Sequence, residues 1–308
     1  MNDGRPTPTS ARRALAFALL ALAAGAPGAH AQSGRLFLSV PYDSNLAILT
    51  YNGVRSNTWL DEALVVPTSE SRSQTESLVY SRIMNVFGRT GGPGISIPYS
   101  SLLSYDKTTG LVQQDASAVA DPALTFDVNL FGAPALDAEQ FKTFVPRTYC
   151  GIHLTLGTPW GSYDPVSATN IGGNRWTYKA LLNYSITWDQ GASWVDFYPS
   201  VRFFGDNDEY QRDRTLSQSP IYGLEAHYSR TVAKRTWLSG GLIGSAGGRV
   251  EVDGQPPGDA QQALKLALGA GFPTWPGGTG ILAYSHTVAR SEGSPRADTF
   301  MIQLIHKF

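Results

Sequence analysis

The 308-residue sequence contains a single cysteine, Cys150. One thiol cannot form an internal disulfide, so the chain is not a small domain stapled by disulfide bonds. Charged residues are also scarce, at 16% of the sequence, whereas soluble domains typically have about 25%. The formal net charge is −1, which argues against a nucleic-acid-binding protein because such proteins carry a clustered basic surface.

A long apolar segment is missing as well. After residue 31 no apolar stretch approaches the roughly 20 residues that a membrane-spanning helix needs. This absence excludes an inner-membrane helical protein. A shorter apolar run, A-L-A-F-A-L-L-A-L-A-A-G-A, follows Arg12 and Arg13 and precedes the small-x-small tripeptide 29–31. These features predict a secretory signal peptide over residues 1–31, removed before Gln32, and one domain over residues 32–308.

Glycine and aromatic residues are abundant. The sequence has 32 Gly, 14 Tyr, 13 Phe and 7 Trp. An exported chain that is rich in glycine and aromatics and poor in charge fits two classes, the secreted β-sandwich and the transmembrane β-barrel.

The alternation of apolar and polar residues favours the barrel. Over residues 176–188 one face carries Trp176, Tyr178, Ala180, Leu182, Tyr184, Ile186 and Trp188, and the other face is mostly polar. A membrane strand needs about 9–11 residues and carries aromatics at both interfaces, whereas strands of soluble sandwiches are usually about 5–6 residues long. The sequence therefore predicts an all-β fold, a transmembrane antiparallel up-and-down barrel.

We expect about 12 strands, an even number that places both ends of the barrel on one side. They are predicted at residues 44–54, 73–87, 92–102, 122–131, 148–160, 174–188, 193–204, 219–231, 235–250, 260–272, 279–289 and 298–308.

The predicted connections alternate in length, as periplasmic turns and extracellular loops do. Short turns are predicted at G-R-T-G-G-P-G (88–94), D-Q-G-A (189–192), V-A-K-R (232–235) and P-T-W-P-G-G (273–278). The longer loops are predicted at residues 55–72, 103–121, 161–173, 205–218, 251–259 and 290–297. One periplasmic connection is expected to contain a short helix, because Asp137 and Gln140 have the spacing of a capping box.

From residue 121 onward the chain resembles a family of bacterial outer-membrane proteins named for the meta-pathway of phenol degradation and often labelled "transporter". The stretches that carry the resemblance are D-P-A-L-T-F-D-V-N-L-F-G-A-P-A-L (121–136), G-S-Y-D-P (161–165), N-I-G-G-N-R-W-T-Y-K (170–179), F-F-G-D-N-D-E-Y (203–210), S-P-I-Y-G-L-E-A-H (219–227) and W-L-S-G-G-L (237–242). The resemblance implies an outer-membrane channel or accessory protein, sometimes linked to the uptake of aromatic compounds. It implies no catalytic residues.

Seven charged or titratable residues fall on the predicted inner face of neighbouring strands and could form one band in the lumen. They are Asp127, His153, Lys179, Asp196, Arg202, Glu225 and His227. One interpretation is a constriction that selects solutes. The alternative is a salt-bridge network that fills a narrow barrel. Twelve strands lie between the filled eight-stranded barrel and the open porin, so size does not decide between them.

Three other patterns carry weaker signals. A serine such as Ser229 or Ser200 with His153 or His227 and Asp196 has the composition of a catalytic triad, but the chain has no G-x-S-x-G elbow. The acidic stretch G-D-N-D-E (205–209) lacks the glycine and glutamate of an EF-hand, so a solvated extracellular loop and no metal site are expected, with divalent-cation binding shared with lipopolysaccharide phosphates as the alternative. Six tryptophans near strand ends are interpreted as an interfacial girdle, with an aromatic-ligand site as the alternative: Trp160, Trp176, Trp188, Trp194, Trp237 and Trp275.

The last strand alternates to the end of the sequence. Its apolar face carries Phe300, Ile302, Leu304 and Phe308, which we interpret as the lipid-facing side of the strand that closes the barrel and as its assembly signal. His306 stands where the family resemblance leads us to expect an aromatic residue, and the sequence offers no reason for it.

Together these patterns predict a passive channel or transport protein of the bacterial outer membrane for small hydrophobic or aromatic solutes. No enzymatic activity and no cofactor are expected, because diffusion down a gradient needs neither. The alternatives are a non-transporting structural or adhesive barrel and, less favoured, an outer-membrane hydrolase. The expected partners are an unknown small solute, outer-membrane lipids with lipopolysaccharide, and the barrel-assembly machinery, and not nucleic acid.

Overall fold

The structure, a computed structural model, describes residues 33–37, 39–57, 69–167, 170–255, 260–292 and 294–308. The predicted signal peptide lies outside the described residues. Within them are one short α-helix, α1 (Ala138–Phe141), one turn of 3-10 helix (Asp189–Gly191) and 17 strands. The strands are β1 (Asn45–Ser56), β2 (Ser69–Arg82), β3 (Met84–Val86), β4 (Arg89–Asp106), β5 (Val112–Val119), β6 (Ala123–Phe131), β7 (Tyr149–Gly157), β8 (Thr177–Trp188), β9 (Ser193–Phe204), β10 (Asn207–Tyr210), β11 (Arg214–Gln218), β12 (Ile221–Ala233), β13 (Thr236–Gly247), β14 (Val250–Val252), β15 (Gln261–Pro273), β16 (Gly278–Arg290) and β17 (Ala297–Lys307).

Twelve of these strands form a closed antiparallel barrel. Its order is β1, β2, β4, β6, β7, β8, β9, β12, β13, β15, β16 and β17, and β17 pairs back onto β1. At the seam Ile48 of β1 lies opposite Ile305 of β17 on one side and Val79 of β2 on the other. All twelve predicted strands are confirmed, with ends shifted by a few residues. None of the helices in the described part of the chain is long and apolar enough to cross a membrane.

The prediction for the connection before β4 was wrong. The stretch G-R-T-G-G-P-G was expected to be the turn, but residues 89–94 belong to β4. The chain instead reverses at Phe87 and Gly88, whose φ angles are +50° and +80°. Two consecutive positive φ values give the backbone twist that a two-residue hairpin requires, and this geometry places β3 against the start of β4.

Three regions predicted as loops contain strands. β5 pairs with residues 99–105 of β4, whereas residues 91–96 of β4 pair with β6. The segments before β12 and before β15 contribute β10, β11 and β14 to a separate three-stranded sheet. Its own apolar cluster holds it together: Tyr210, Leu216, Val250 and Val252. Strands of three to five residues are too short to show a clear alternation in sequence.

The outer wall of the barrel is apolar and the interior is largely polar. Large exposed side chains recur on the outward parity, including Leu154, Tyr178, Tyr228, Leu268 and Phe300. Ser100, Asn183, Ser185, Ser229 and Thr299 are fully or almost fully buried on the inward parity. This distribution is the inverse of a soluble protein and matches an apolar belt facing lipid around a polar lumen.

The predicted helix in the β6–β7 connection is confirmed. The Asp137 carboxylate accepts hydrogen bonds from the Glu139 and Gln140 backbone N–H groups, and the Gln140 side chain accepts one from the Asp137 N–H. This reciprocal capping box satisfies donors that would otherwise have no partner at the start of a helix.

At the rim of the barrel His306 contacts two aromatic residues, Trp275 and Phe308. The Trp275 indole N–H donates to His306 Nδ1 over 2.9 Å, and the His306 ring stacks on Phe308 with centroids 5.7 Å apart. His306 thus extends an aromatic cluster at the rim where an aromatic residue was expected. The imidazole can take this place because it supplies both a ring face and an acceptor for the tryptophan.

Candidate transport pathway in the lumen

The structure places all seven residues of the predicted band on the inward face of their strands. Asp196, Glu225 and His227 are buried, whereas Asp127, His153, Lys179 and Arg202 are partly accessible from the lumen. The band does not form one cluster. It divides into two carboxylate–histidine pairs, a pair of cations, and the buried Asp196, which lies directly opposite His227 in the pairing of β9 with β12.

The first pair joins β6 and β7. Asp127 and His153 are direct cross-strand neighbours, and Asp127 Oδ1 lies 2.9 Å from His153 Nδ1. The other ring nitrogen of His153 lies 3.4 Å from Asn183 Oδ1. Phe37 stacks on the face of the His153 ring with centroids 3.6 Å apart.

A hydrogen-bonded chain continues from this pair around the wall. Asn183 Nδ2 donates to Ser185 Oγ over 2.9 Å, and Ser185 Oγ donates to Asp196 Oδ1 over 2.5 Å. The second oxygen of Asp196 accepts the backbone N–H of Arg35 at 3.0 Å. Burying a carboxylate is costly unless its oxygens are satisfied, and here each oxygen has a donor.

The second pair lies on β12. Glu225 Oε2 lies 3.1 Å from His227 Nε2, and both side chains are buried. The His227 ring packs at a tilt against Tyr198, which has no exposed surface. These residues therefore fill the wall side of the lumen in the way that the salt-bridge interpretation predicts.

The segment before β1 enters the barrel, a position that the sequence did not predict. This N-terminal segment, residues 33–37 and 39–44, is held by Tyr149, whose hydroxyl donates to the Phe37 carbonyl over 2.8 Å. It lies so close to β15 that a Cβ on Gly269 would come within 2.6 Å of Ser33 Cβ. Without periodicity the segment gave no signal of its position in the fold.

Arg35 anchors the segment to the barrel wall. Its side chain donates to Ser229 Oγ at 2.8 Å, to Thr231 Oγ1 at 2.9 Å and to the Ala192 carbonyl at 2.8 Å. All three acceptors lie on or beside β9 and β12. Because these strands also carry Asp196 and His227, the segment and most of the charged band occupy the same side of the lumen.

The girdle prediction was wrong for two of the six tryptophans. Trp194 and Trp237 are 2% and 5% exposed and face the lumen. The Arg35 guanidinium carbon lies 5.4 Å and 5.8 Å from their ring centroids, so they clamp this cation by cation–π contacts. Trp160, Trp176, Trp188 and Trp275 are exposed, as residues of an interfacial girdle are.

Among the described residues, two cavities lie along β1, β2 and β4. The inner cavity, about 610 Å³, lies between the N-terminal segment and the wall. Its apolar lining includes Leu46, Ile48, Ile83, Phe141, Ile281 and Ile305. Five charged or titratable residues also line it: Arg35, Asp127, His153, Arg235 and Lys307. The outer cavity, about 300 Å³, is lined by hydroxyl groups of β2 and β4 and by Arg175 and Arg202.

The two cavities lie one above the other along β1, β2 and β4. On β2 the outer cavity reaches down to Ser77 and the inner cavity reaches up to Ser81. Only Val79 lies between them on the same face of the strand. Inward-facing neighbours on a strand are about 7 Å apart, so a neck about one residue long separates the cavities.

The residues of the candidate triad are not assembled into one. Ser229 Oγ accepts from Arg35, Asp196 accepts from Ser185 and Arg35, and His227 pairs with Glu225. His153 pairs with Asp127 on another part of the wall. Among the described residues no group of three or more His, Cys, Asp or Glu side chains could hold a metal ion.

Comparisons with known proteins agree with this architecture. Residues 60–292 match the family model described as "Putative MetA-pathway of phenol degradation". The chain is similar to the COG4313 outer membrane channel from Pseudomonas putida F1, with a TM-score of 0.76 and 19% identity over 91% of this chain and 100% of that one. The β domain of the Bordetella autotransporter BrkA has a TM-score of 0.53 and 10% identity, over 86% of this chain and 100% of that chain. No curated protein matches.

The closed barrel and its apolar belt place the protein in the bacterial outer membrane.

Proposed function

We propose that this chain, which belongs to the family described as the putative MetA-pathway of phenol degradation, is a passive channel for small hydrophobic or aromatic solutes. The observation that carries the proposal is the pair of stacked cavities along β1, β2 and β4. The solute diffuses down its gradient, so the proposal requires no cofactor and no catalytic group.

The inner cavity supports an apolar solute. Ligand pockets for small molecules have volumes of about 300–1,000 Å³ and are lined mainly by apolar side chains with a few polar groups. The inner cavity has this size and many apolar lining residues, and polar groups such as Gln303, His153 and Arg235 supply polar contacts. A single aromatic ring with small substituents fits such a space.

The family description and the similar channel point in the same direction. The family is described by a phenol-degradation pathway, and the Pseudomonas protein is described as an outer membrane channel. Neither description identifies the solute of this chain. Phenol is therefore a suitable probe rather than an assigned substrate.

A substitution that fills the inner cavity tests the proposal. Ile48 faces this cavity, whereas its neighbour Leu49 is exposed on the outer wall. We expect Ile48→Trp to lower the conductance of the purified barrel in planar bilayers by roughly tenfold, which corresponds to a barrier to permeation raised by about 1.4 kcal/mol. We expect the inhibition of this conductance by added phenol to weaken by a similar factor, about tenfold.

Leu49→Trp is the matched control. It adds the same indole one residue along the strand, but on the lipid-facing side where tryptophan is tolerated, and we expect unchanged conductance. Heat-modifiable migration on gels checks that both variants fold. If wild-type barrels conduct nothing and cells lacking the gene take up aromatic compounds normally, the transport proposal is wrong.

One observation favours the alternative, a non-transporting structural or adhesive barrel. The N-terminal segment occupies the lumen beside the charged band and is fixed there by four hydrogen bonds of Arg35. A permanently filled lumen would leave only the outer loops for function. Absence of conductance in the wild type, together with normal assembly, would favour this alternative over the channel.

The hydrolase alternative has less support. Its serine, histidine and aspartate candidates each have other hydrogen-bond partners in the lumen. We propose that the protein is not an enzyme. A hydrolytic activity lost on Ser229→Ala, with the barrel still folded, would reverse this view.

A further inference from the structure

The outer wall carries an exposed pair of arginines near one end of β1 and β2. Arg55 of β1 lies directly opposite Arg72 of β2 in the pairing register. Both share the outward parity of the exposed residues Leu49 and Leu78, and their side chains are 61% and 55% exposed. On strands across the barrel, the outward residues near the same end are aromatic: Trp176, Phe203 and Tyr222. The arginine pair is therefore a local feature of the face around β1 and β2.

A largely buried carboxylate holds the two arginines side by side. The Glu70 side chain is 10% exposed; its Oε1 lies 2.8 Å from Arg55 Nε, and its Oε2 accepts from Arg55 Nη2 over 2.8 Å. Arg72 Nε donates to Glu70 Oε1 over 3.3 Å, and Arg72 Nη2 donates to the Tyr105 hydroxyl over 3.0 Å. The Tyr105 hydroxyl in turn donates to Glu70. This network fixes both guanidinium groups before a ligand arrives, which lowers the entropic cost of binding.

The network leaves donors of both arginines available. Arg55 already covers both oxygens of Glu70, so the carboxylate does not need Arg72 as a second partner. Within the described residues, Nη1 of neither arginine makes a hydrogen bond. Exposed ion pairs contribute little to stability, whereas two adjacent guanidinium groups match the oxygens of a phosphate group. The arrangement therefore favours an anionic ligand over a purely structural role.

A groove in the outer wall begins at the arginine pair and leads towards the middle of the membrane. It has a volume of about 270 Å³ and lies across β16, β17, β1 and β2. Gly53, one outward position from Arg55, has no side chain and leaves a gap between Phe300 and Gln74, its neighbours in the register. Aromatic rings line the groove: Tyr51, Tyr284 and Phe300. The wall thus changes from cationic to aromatic over two outward positions, about 14 Å.

The acidic side chain that lines the groove is engaged by its own neighbours. Asp298 Oδ1 lies 2.6 Å from His286 Nδ1 and accepts the Tyr284 hydroxyl over 2.8 Å, and this side chain is 35% exposed. Arg296, two residues before Asp298, adds a third exposed arginine on the same parity. Glu76 lies two outward positions from the arginine of β2 and does not line the groove. The most exposed charges that line the groove are therefore the two guanidinium groups.

We propose that this face of the outer wall is a binding site for lipid A, the membrane anchor of lipopolysaccharide. Arg55 and Arg72 bind one of its phosphate groups, and an acyl chain lies in the groove beside Gly53 and Phe300. The site is at the rim with the longer connections, such as 158–176 and 205–220, which is the extracellular rim of such barrels. Lipopolysaccharide forms the leaflet on this side of the membrane. The site faces lipid and does not depend on the proposed channel.

Two lipids with the same acyl chains test the proposal. Lipid A and its dephosphorylated form are titrated against the purified barrel in detergent micelles by microscale thermophoresis, with EDTA present so that no divalent cation bridges carboxylates and phosphates. We expect lipid A to bind roughly tenfold more tightly, because the dephosphorylated form lacks the charge-assisted hydrogen bonds to phosphate. Phosphatidylglycerol, an anionic lipid with a different headgroup, is titrated in parallel and should bind more weakly than lipid A.

The triple variant Arg55→Gln/Glu70→Gln/Arg72→Gln removes the site without leaving a buried carboxylate unpaired. We expect its preference for lipid A over the dephosphorylated form to disappear. Arg72→Gln alone keeps the Arg55–Glu70 pair and should lose most of the preference. Arg230→Gln is the matched control, because Arg230 is 59% exposed, lies near Asp189 at the opposite rim, and changes the net charge by the same amount as the triple variant. We expect this control to keep the wild-type preference. Heat-modifiable migration checks that each variant folds.

Each contrary outcome bears on the lipid site and leaves the channel untouched. Equal binding of the two forms of lipid A by the wild type, or an unchanged preference in the triple variant, overturns the site. Loss of the preference in Arg230→Gln as well would show a general effect of net charge and overturns it too. Phosphatidylglycerol that binds as tightly as lipid A would show that the arginines attract any anionic lipid, which overturns the assignment to lipid A.

Discussion

At the scale of single residues, Arg35 fixes the N-terminal segment inside the lumen. It joins the N-terminal segment to Asp196, Ser229 and Thr231 and is held between two tryptophan rings. Hydrogen bonds to charged groups contribute about 1.5–3 kcal/mol each. The position of the segment therefore depends heavily on one side chain.

Replacing Arg35 tests whether this anchor keeps the lumen filled. In Arg35→Gln the contacts to Ser229, Thr231 and the Ala192 carbonyl are lost or weakened, and we expect the segment to leave the wall. Conductance in planar bilayers should then rise by roughly tenfold, as a loss of about 1.4 kcal/mol of anchoring predicts. Arg230→Gln serves as the control on the outer wall, and equal conductance of both variants would contradict the anchoring role.

At the scale of elements, the three-stranded sheet of β10, β11 and β14 orders the loops above the barrel. Arg214 and Asp253 tie its edge: Arg214 Nε donates to Asp253 Oδ2 over 2.8 Å, and the Thr215 N–H donates to the other oxygen over 3.0 Å. These hydrogen bonds, that from Arg214 first, hold the pKa of the Asp253 carboxyl below its ordinary value. The hydrogen bonds from Arg214 and Thr215 therefore stabilise the ionised form of the Asp253 carboxyl.

The pKa of Asp253 predicts how this sheet responds to acid. Because the folded-state pKa is depressed, the stabilisation is present above the unfolded value of about 3.9 and is lost as the pH falls through the folded value. We expect hydrogen-exchange protection of the β11 and β14 amides to decrease below about pH 4, while that of the barrel strands persists. In Arg214→Gln the acid-dependent decrease should be smaller, and an identical pH profile would contradict the assignment.

At the scale of the whole molecule, closure of the barrel depends on β17. The strand pairs with β16 and β1 over its length, so the sheet has no free edge at the seam. Phe300 and Phe308 are exposed on the lipid-facing side, and Ile302 and Leu304 lie partly exposed on the same parity. We propose that this apolar face is the signal by which the assembly machinery recognises the chain.

A substitution at the end of β17 tests the assembly signal. We expect Phe308→Ala to reduce the fraction of heat-modifiable barrel in outer membranes severalfold, because recognition fails before insertion. Phe87→Ala is the matched control, since Phe87 is a fully exposed aromatic in a turn at the same rim. Equal loss in both variants would show that any rim aromatic matters and that the last strand has no special role.

Much of the barrel could be predicted from the sequence. The alternation in β8, β9 and β12 determined which residues face lipid, because a period of two leaves no other assignment once one face is apolar. The capping box at Asp137 and Gln140 determined α1 locally. The short strands β10, β11 and β14 could not be predicted, since their pairing depends on loops brought together only after the barrel closes.

The alternation of residues along the chain was enough to predict the membrane barrel, its twelve strands and the inward position of residues such as Asp127 and Lys179. The three-dimensional structure was needed to show that Arg35 binds to β9 and β12 inside the lumen, that Trp194 faces this arginine rather than lipid, and that cavities lie along β1, β2 and β4. Alternation is a local property of each strand. Which inward side chains meet across the lumen depends on register and closure, which no single segment encodes.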